Sequence, residues 1–111
     1  MKPWIHIIRP ENYEDLVMSG KVPFLLLCMP HNKAFSKQLE VIEAIAEKYQ
    51  DALKVGVLAE ESIELFKKNL SIIGSPTFLL LAEGKEENRI LGIIDEKSLI
   101  DIIDKYLSAN R

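Results

Sequence analysis

Cys28 and His31 are the side chains whose types and spacing suggest chemistry, because Cys28-Met29-Pro30-His31 sets an imidazole three residues from a thiol. A nearby imidazolium lowers a thiol pKa and so favours the thiolate, which is the reactive form. The chain has a single cysteine, however, so it can form no intramolecular disulfide and run no dithiol cycle by itself. Two readings of Cys28 remain. It is a monothiol that forms a mixed disulfide with glutathione or a partner thiol, or a small hydrophobe ending a buried strand, as free cysteines commonly are. The Cys28 and His31 spacing also resembles that of metal ligands, but a structural zinc site needs four and nothing completes the set. Neither a metal nor a cofactor is expected. His6 is assigned no role. His31, Asn32 and Lys33 place donors at the start of a helix, where the dipole favours an anion or a partner's carboxylate; the alternative is a solvated loop.

The elements that must position these residues are read from hydrophobic periodicity. Residues 4 to 8 read as a strand and 12 to 18 as a helix with Asn12 as its N-cap. Residues 22 to 29 form a continuous apolar run, the pattern of a strand covered on both faces. From Asn32 to Tyr49, Phe35, Leu39, Ile42, Ala46 and Tyr49 recur at helical spacing and predict the longest helix. A strand over 53 to 58 and a helix over 62 to 70 follow. Strands over 77 to 82 and 89 to 94, separated by the polar stretch Glu83 to Asn88, predict an antiparallel hairpin. Asp95 is the N-cap of a last helix with Leu99, Ile102, Ile103, Tyr106 and Leu107 on one face. The order β-α-β-α-β-α-β-β-α implies an α/β fold with a mixed central sheet and helices on both faces.

Composition narrows the partners. The 111 residues are 48% apolar and 28% charged, which suits one globular domain spanning the chain and is too apolar for disorder. Seventeen acids and fourteen bases give a net charge of -3, without the basic stripe that nucleic acid would require. No apolar run nears the roughly 20 residues of a membrane span. The first residues lack the apolar core of a secretory signal, so a cytoplasmic protein is expected.

Several segments resemble the thioredoxin family. Ile73-Gly74-Ser75-Pro76-Thr77-Phe78-Leu79-Leu80-Leu81 is similar to the segment in which a cis-proline, then Thr and an apolar run, open the family's fourth strand. Glu43-Ala44-Ile45-Ala46-Glu47-Lys48-Tyr49 resembles the end of its second helix, and Leu91-Gly92 its hairpin glycine. The resemblance covers roughly residues 4 to 108 and implies a thioredoxin-like fold. It places the family's Trp-Cys-Gly-Pro-Cys motif on His31-Asn32-Lys33-Ala34-Phe35, with Asn32 and Phe35 where the cysteines would be. The family's buried Asp and its Lys partner correspond to Leu26 and Val57. A buried carboxylate without a thiol to serve carries a desolvation penalty that an apolar residue removes.

The resemblance further implies that Ser75-Pro76 is cis and that the Ser75 backbone is presented to an extended partner segment, a case of β-strand addition. The expected binding surface comprises His31, Asn32, Lys33, Ala34, Phe35, Gly74, Ser75, Pro76, Gly92 and Ile93. Phe35 either fills the place of a thiol in the core or faces the groove as an apolar anchor. The expected function is binding of protein or peptide segments without dithiol oxidoreductase activity; the alternatives are a monothiol redox protein using Cys28 and an assembly chaperone or structural module.

Overall fold

The computed structural model describes residues 1–110. Its strands are β1 (Ile5–Ile8), β2 (Phe24–Cys28), β3 (Lys54–Leu58), β4 (Thr77–Ala82) and β5 (Lys85–Leu91). They form one sheet in the order β1-β3-β2-β4-β5. β3 runs parallel to both β1 and β2, while β4 is antiparallel to β2 and β5 to β4. The apolar run of β2 therefore lies at the centre, and all five of its residues are buried. Alternation sends Phe24, Leu26 and Cys28 to one face and Leu25 and Leu27 to the other. Burying one such Leu or Phe contributes about 1.5–3 kcal/mol, so this strand is a large share of the core.

Four α-helices cover the two faces: α1 (Pro10–Tyr13), α2 (Lys33–Tyr49), α3 (Ile63–Asn69) and α4 (Glu96–Ala109). On one face Phe35, Ile42, Ile45 and Ala46 of α2 and Leu99 and Ile103 of α4 pack with Leu25, Leu27, Val55, Val57, Phe78 and Leu80. On the other, Val17, Ile63 and Phe66 pack with Phe24, Leu26, Cys28, Leu79 and Leu81. This is an α/β thioredoxin-type fold with a five-stranded mixed sheet.

Two local expectations are corrected. Asn12 is not an N-cap: the first helix starts at Pro10, whose fixed φ suits a first helical position, and runs on as a π-helical turn over Glu14–Met18. Asn12 instead accepts the Arg9 N–H at 2.8 Å and donates to the Ile7 carbonyl at 2.9 Å, closing the link between β1 and α1. The hairpin turn is not the whole stretch from Glu83 to Asn88. It is Glu83-Gly84 alone, both with positive φ (48° and 79°), and β5 begins at Lys85 and ends at Leu91. β5 is an edge strand with little burial, so its charged residues carry no alternation to read, and charges on an edge oppose stray pairing.

Candidate functional site

The start of α2 is built as the capping argument requires. Asn32 Oδ1 accepts the backbone N–H groups of Ala34 at 3.0 Å and Phe35 at 3.3 Å, satisfying two donors of the first turn. His31 is tied to the end of β3 and the 3-10 turn Glu60–Ser62 that follows it. Its Nε2–H donates to the Leu58 carbonyl at 3.0 Å, since a carbonyl can only accept, and its backbone N–H donates to Glu60 Oε2 at 3.2 Å. The same carboxylate lies 4.0 Å from His31 Nδ1. The carboxylate expected from a partner is thus supplied by the chain itself. Lys33 and Ala34 are exposed.

Phe35 settles inward. It is 8% exposed and belongs to the core between the sheet, α2 and α4, with its outer face covered by the His31 ring at a centroid distance of 4.0 Å. Only 17° separates the two ring planes. It is therefore not a free anchor for a ligand.

Cys28 faces the opposite side of the sheet, beside Leu79 and Phe66 rather than Phe35. It is 2% exposed, and burial pushes its thiol from an ordinary 9.0 up to about 12, against a weaker opposing pull from Arg89. A thiol so placed holds almost no thiolate near neutrality. The sequence spacing did not make a thiol–imidazole pair, because Cys28, the last residue of β2, faces one side of the sheet, whereas His31, beyond the strand, stacks on Phe35 of the core on the other side.

The second half of the expected surface forms where two loops leave the same end of the sheet. Cys28 pairs with Thr77, so the chain leaving β2 toward α2 and the chain entering β4 run side by side. The Ser75-Pro76 peptide bond is cis. Thr77 Oγ1 donates to the Gly74 carbonyl at 2.7 Å, and the Gly92 N–H donates to the Pro76 carbonyl at 2.9 Å. Ser75 is exposed, and among the described residues its backbone N–H and C=O make no hydrogen bond. On the segments that meet here, Ile73 is 89% exposed, Leu91 57% and Ile93 67%. The Leu91 side chain reaches over Gly74, where an added Cβ would lie 2.9 Å from Leu91 Cδ1.

Two side chains that fasten these loops were not singled out from sequence. Arg89 donates to the Leu70 and Ser71 carbonyls at 2.7 and 2.9 Å while gripping Glu86, and so fastens the loop leading to Ile73. Gln38, buried, bonds both backbone groups of Ile94. The signal for Gln38 was present as an amide inside the stripe that runs through Phe35, Ile42 and Ile45. A cavity of about 490 Å³ opens at the far end of α2, lined by Trp4, His6, Ala46, Gln50, Leu53 and Val55. Burial, reinforced by the Lys54 charge, holds His6 below its usual pKa there.

Compared with known proteins, the chain is 32% identical over 108 residues to a thioredoxin of Chlamydia trachomatis, an overlap covering 92% of this chain and 98% of that one. The chain belongs to the thioredoxin family. It is also 24% identical over 100 residues to thioredoxin M5 of rice chloroplasts, and 25% identical over 68 residues to a thioredoxin of Porphyra purpurea. These matches cover 89% and 61% of this chain, and it spans 58% and 64% of the length of those two relatives. No protein-family model matches it. This thioredoxin-family chain has one cysteine, which leaves no pair for exchange within the chain. Among the described residues of this thioredoxin relative, no group of three or more His, Cys, Asp or Glu is placed to hold a metal ion, and no helix is long and apolar enough to cross a membrane.

Proposed function

We propose that this thioredoxin-family protein binds extended protein segments beside Ser75-Pro76 and carries out no dithiol–disulfide exchange. The observation that carries the reading is that Ser75 is exposed with its backbone unpaired among the described residues, while Ile73, Leu91 and Ile93, on the segments next to it in sequence or joined to it through Gly74 and Pro76, are exposed aliphatic side chains. An extended segment pairing with Ser75 would gain main-chain hydrogen bonds there, while its alternate side chains cover these aliphatic side chains. Asn32 and Phe35 support the absence of exchange chemistry, the first as a helix cap and the second as core. Burial of Cys28 speaks against monothiol chemistry.

The proposed binding surface is accordingly Gly74, Ser75, Gly92 and Ile93 with Ile73 and Leu91; Pro76, expected on it, is buried and lies beneath, Lys33 and Ala34 are exposed at the start of α2, and His31, Asn32 and Phe35 hold that start in place. A cytoplasmic setting belongs to the reading. The test has two arms. In an insulin reduction assay the protein gives no turnover above the free reductant; turnover at the rate of a dithiol enzyme overturns the reading. In an NMR titration, an acetylated heptapeptide alternating leucine and serine shifts the amides of Ile73, Ser75 and Ile93, and shifts confined to other surfaces would equally overturn it.

A further inference from the structure

Gln38 is the one long polar side chain of α2 that is buried, at 2% exposure, in the stripe between Phe35 and Ile42. A buried amide is unfavourable unless each of its polar atoms is paired. Gln38 Nε2 donates to the Ile94 carbonyl at 3.1 Å, and Gln38 Oε1 accepts the Ile94 N–H at 3.3 Å. The side chain thereby imitates a neighbouring strand for a residue that lies beyond the end of β5 and just before Asp95, the cap of α4.

We propose that Gln38 is a positioning residue for ligand docking, holding the Gly92–Ile94 segment so that Ile93 is presented at a fixed place on the binding surface. The inference rests on the reading of that surface given above. Ile93 is pinned on both sides. Before it, Gly92 adopts φ 110°, a conformation L side chains rarely take, and its N–H is bonded to the Pro76 carbonyl. After it, both polar groups of Ile94 are taken by Gln38. The side chain between these anchors is left two-thirds exposed. A rim already ordered in the free protein spares a ligand the entropy of ordering it, so the clamp acts on affinity without touching the ligand. It also takes the Ile94 backbone out of competition, leaving Ser75 as the place where a guest's main chain pairs.

The experiment titrates the leucine–serine heptapeptide into the wild-type protein and into Gln38→Met, Gln38→Glu and the control Ile42→Val, with thermal stability and amide exchange measured on each. Gln38→Met keeps the volume and removes the clamp; it should speed exchange at Ile94 and weaken the peptide about tenfold, the scale of one to two lost hydrogen bonds. Ile42→Val lowers stability by a comparable amount away from the rim and leaves affinity unchanged. Gln38→Glu supplies the decisive arm even where Gln38→Met folds poorly. Its carboxyl, when protonated near pH about 5, can donate to the Ile94 carbonyl as the amide does, and when ionised near pH about 8 it cannot. Affinity should be close to wild type at the lower pH and about tenfold weaker at the higher one, with the wild-type protein flat across the range. Peptide binding by wild type that neither Gln38→Met nor Gln38→Glu alters overturns the positioning role alone. Failure of the wild-type protein to bind the peptide overturns the surface reading and the role together.

Discussion

The imidazole of His31 lies flat on the ring of Phe35, with centroids 4.0 Å apart, while its Nε2–H is bonded to the Leu58 carbonyl. One residue thus closes the core over an aromatic ring and joins the start of α2 to the end of β3. Phe35→Ala should cost about 3–5 kcal/mol, the range for deleting a buried aromatic. Asn32→Ala, which removes the cap on Ala34 and Phe35, should cost about 1 kcal/mol, and Asn32→Asp or Asn32→Ser should restore most of it. Urea unfolding of the four variants measures both effects. A Phe35→Ala loss below that of Asn32→Ala would show that the ring is not core.

Cys28 makes stability depend on alkaline pH. Its thiol stays protonated in the folded protein up to about 12 and ionises near 9.0 when the chain is unfolded, so the unfolded state loses its proton first. Stability from this group is complete below pH 9.0 and falls as pH rises from there toward 12. Cys28→Ala should flatten that slope in unfolding curves measured across the range. In the same window iodoacetamide should label Cys28 only as fast as the protein opens, and labelling at the rate of a free thiol would contradict its placement.

Arg89 joins the edge strand to the loop that leads to the proposed binding surface. Its guanidinium meets the Leu70 and Ser71 carbonyls and the Glu86 carboxylate. Arg89→Met keeps the apolar stem and should cost about 1–3 kcal/mol through carbonyls left unpaired. Arg89→Lys should recover little, because a point charge cannot bridge carbonyls and carboxylate with one planar fork. Faster amide exchange in residues 70–74 would accompany both variants.

Ile73 offers a separation of binding from folding. With 89% of the side chain exposed, Ile73→Asp should change stability by no more than about 0.5 kcal/mol. The same change places a charge on the proposed surface two residues from Ser75 and should abolish the heptapeptide shifts. Thermal unfolding and titration on one sample check both, and intact binding by Ile73→Asp would remove Ile73 from the surface.

Much of this protein was legible in its residue pattern. The apolar runs and helical stripes predicted β2, α2 and α4 with errors of a residue or two, because burial of one face leaves a period in the chain itself. A count of one cysteine excluded an internal dithiol cycle without any structure. The family was recognisable from Ser75-Pro76-Thr77 and the apolar run after it. What sequence could not decide were relations between residues far apart. Whether Phe35 faces the core, whether Cys28 meets His31, and what pairs the Gln38 amide 56 positions away depend on how strands and helices are brought together. Local periodicity reports only that a side chain is buried, whereas the tertiary packing decides against what. The two-residue turn at Glu83-Gly84 was hidden for the opposite reason: an exposed edge strand buries too little to leave a period at all.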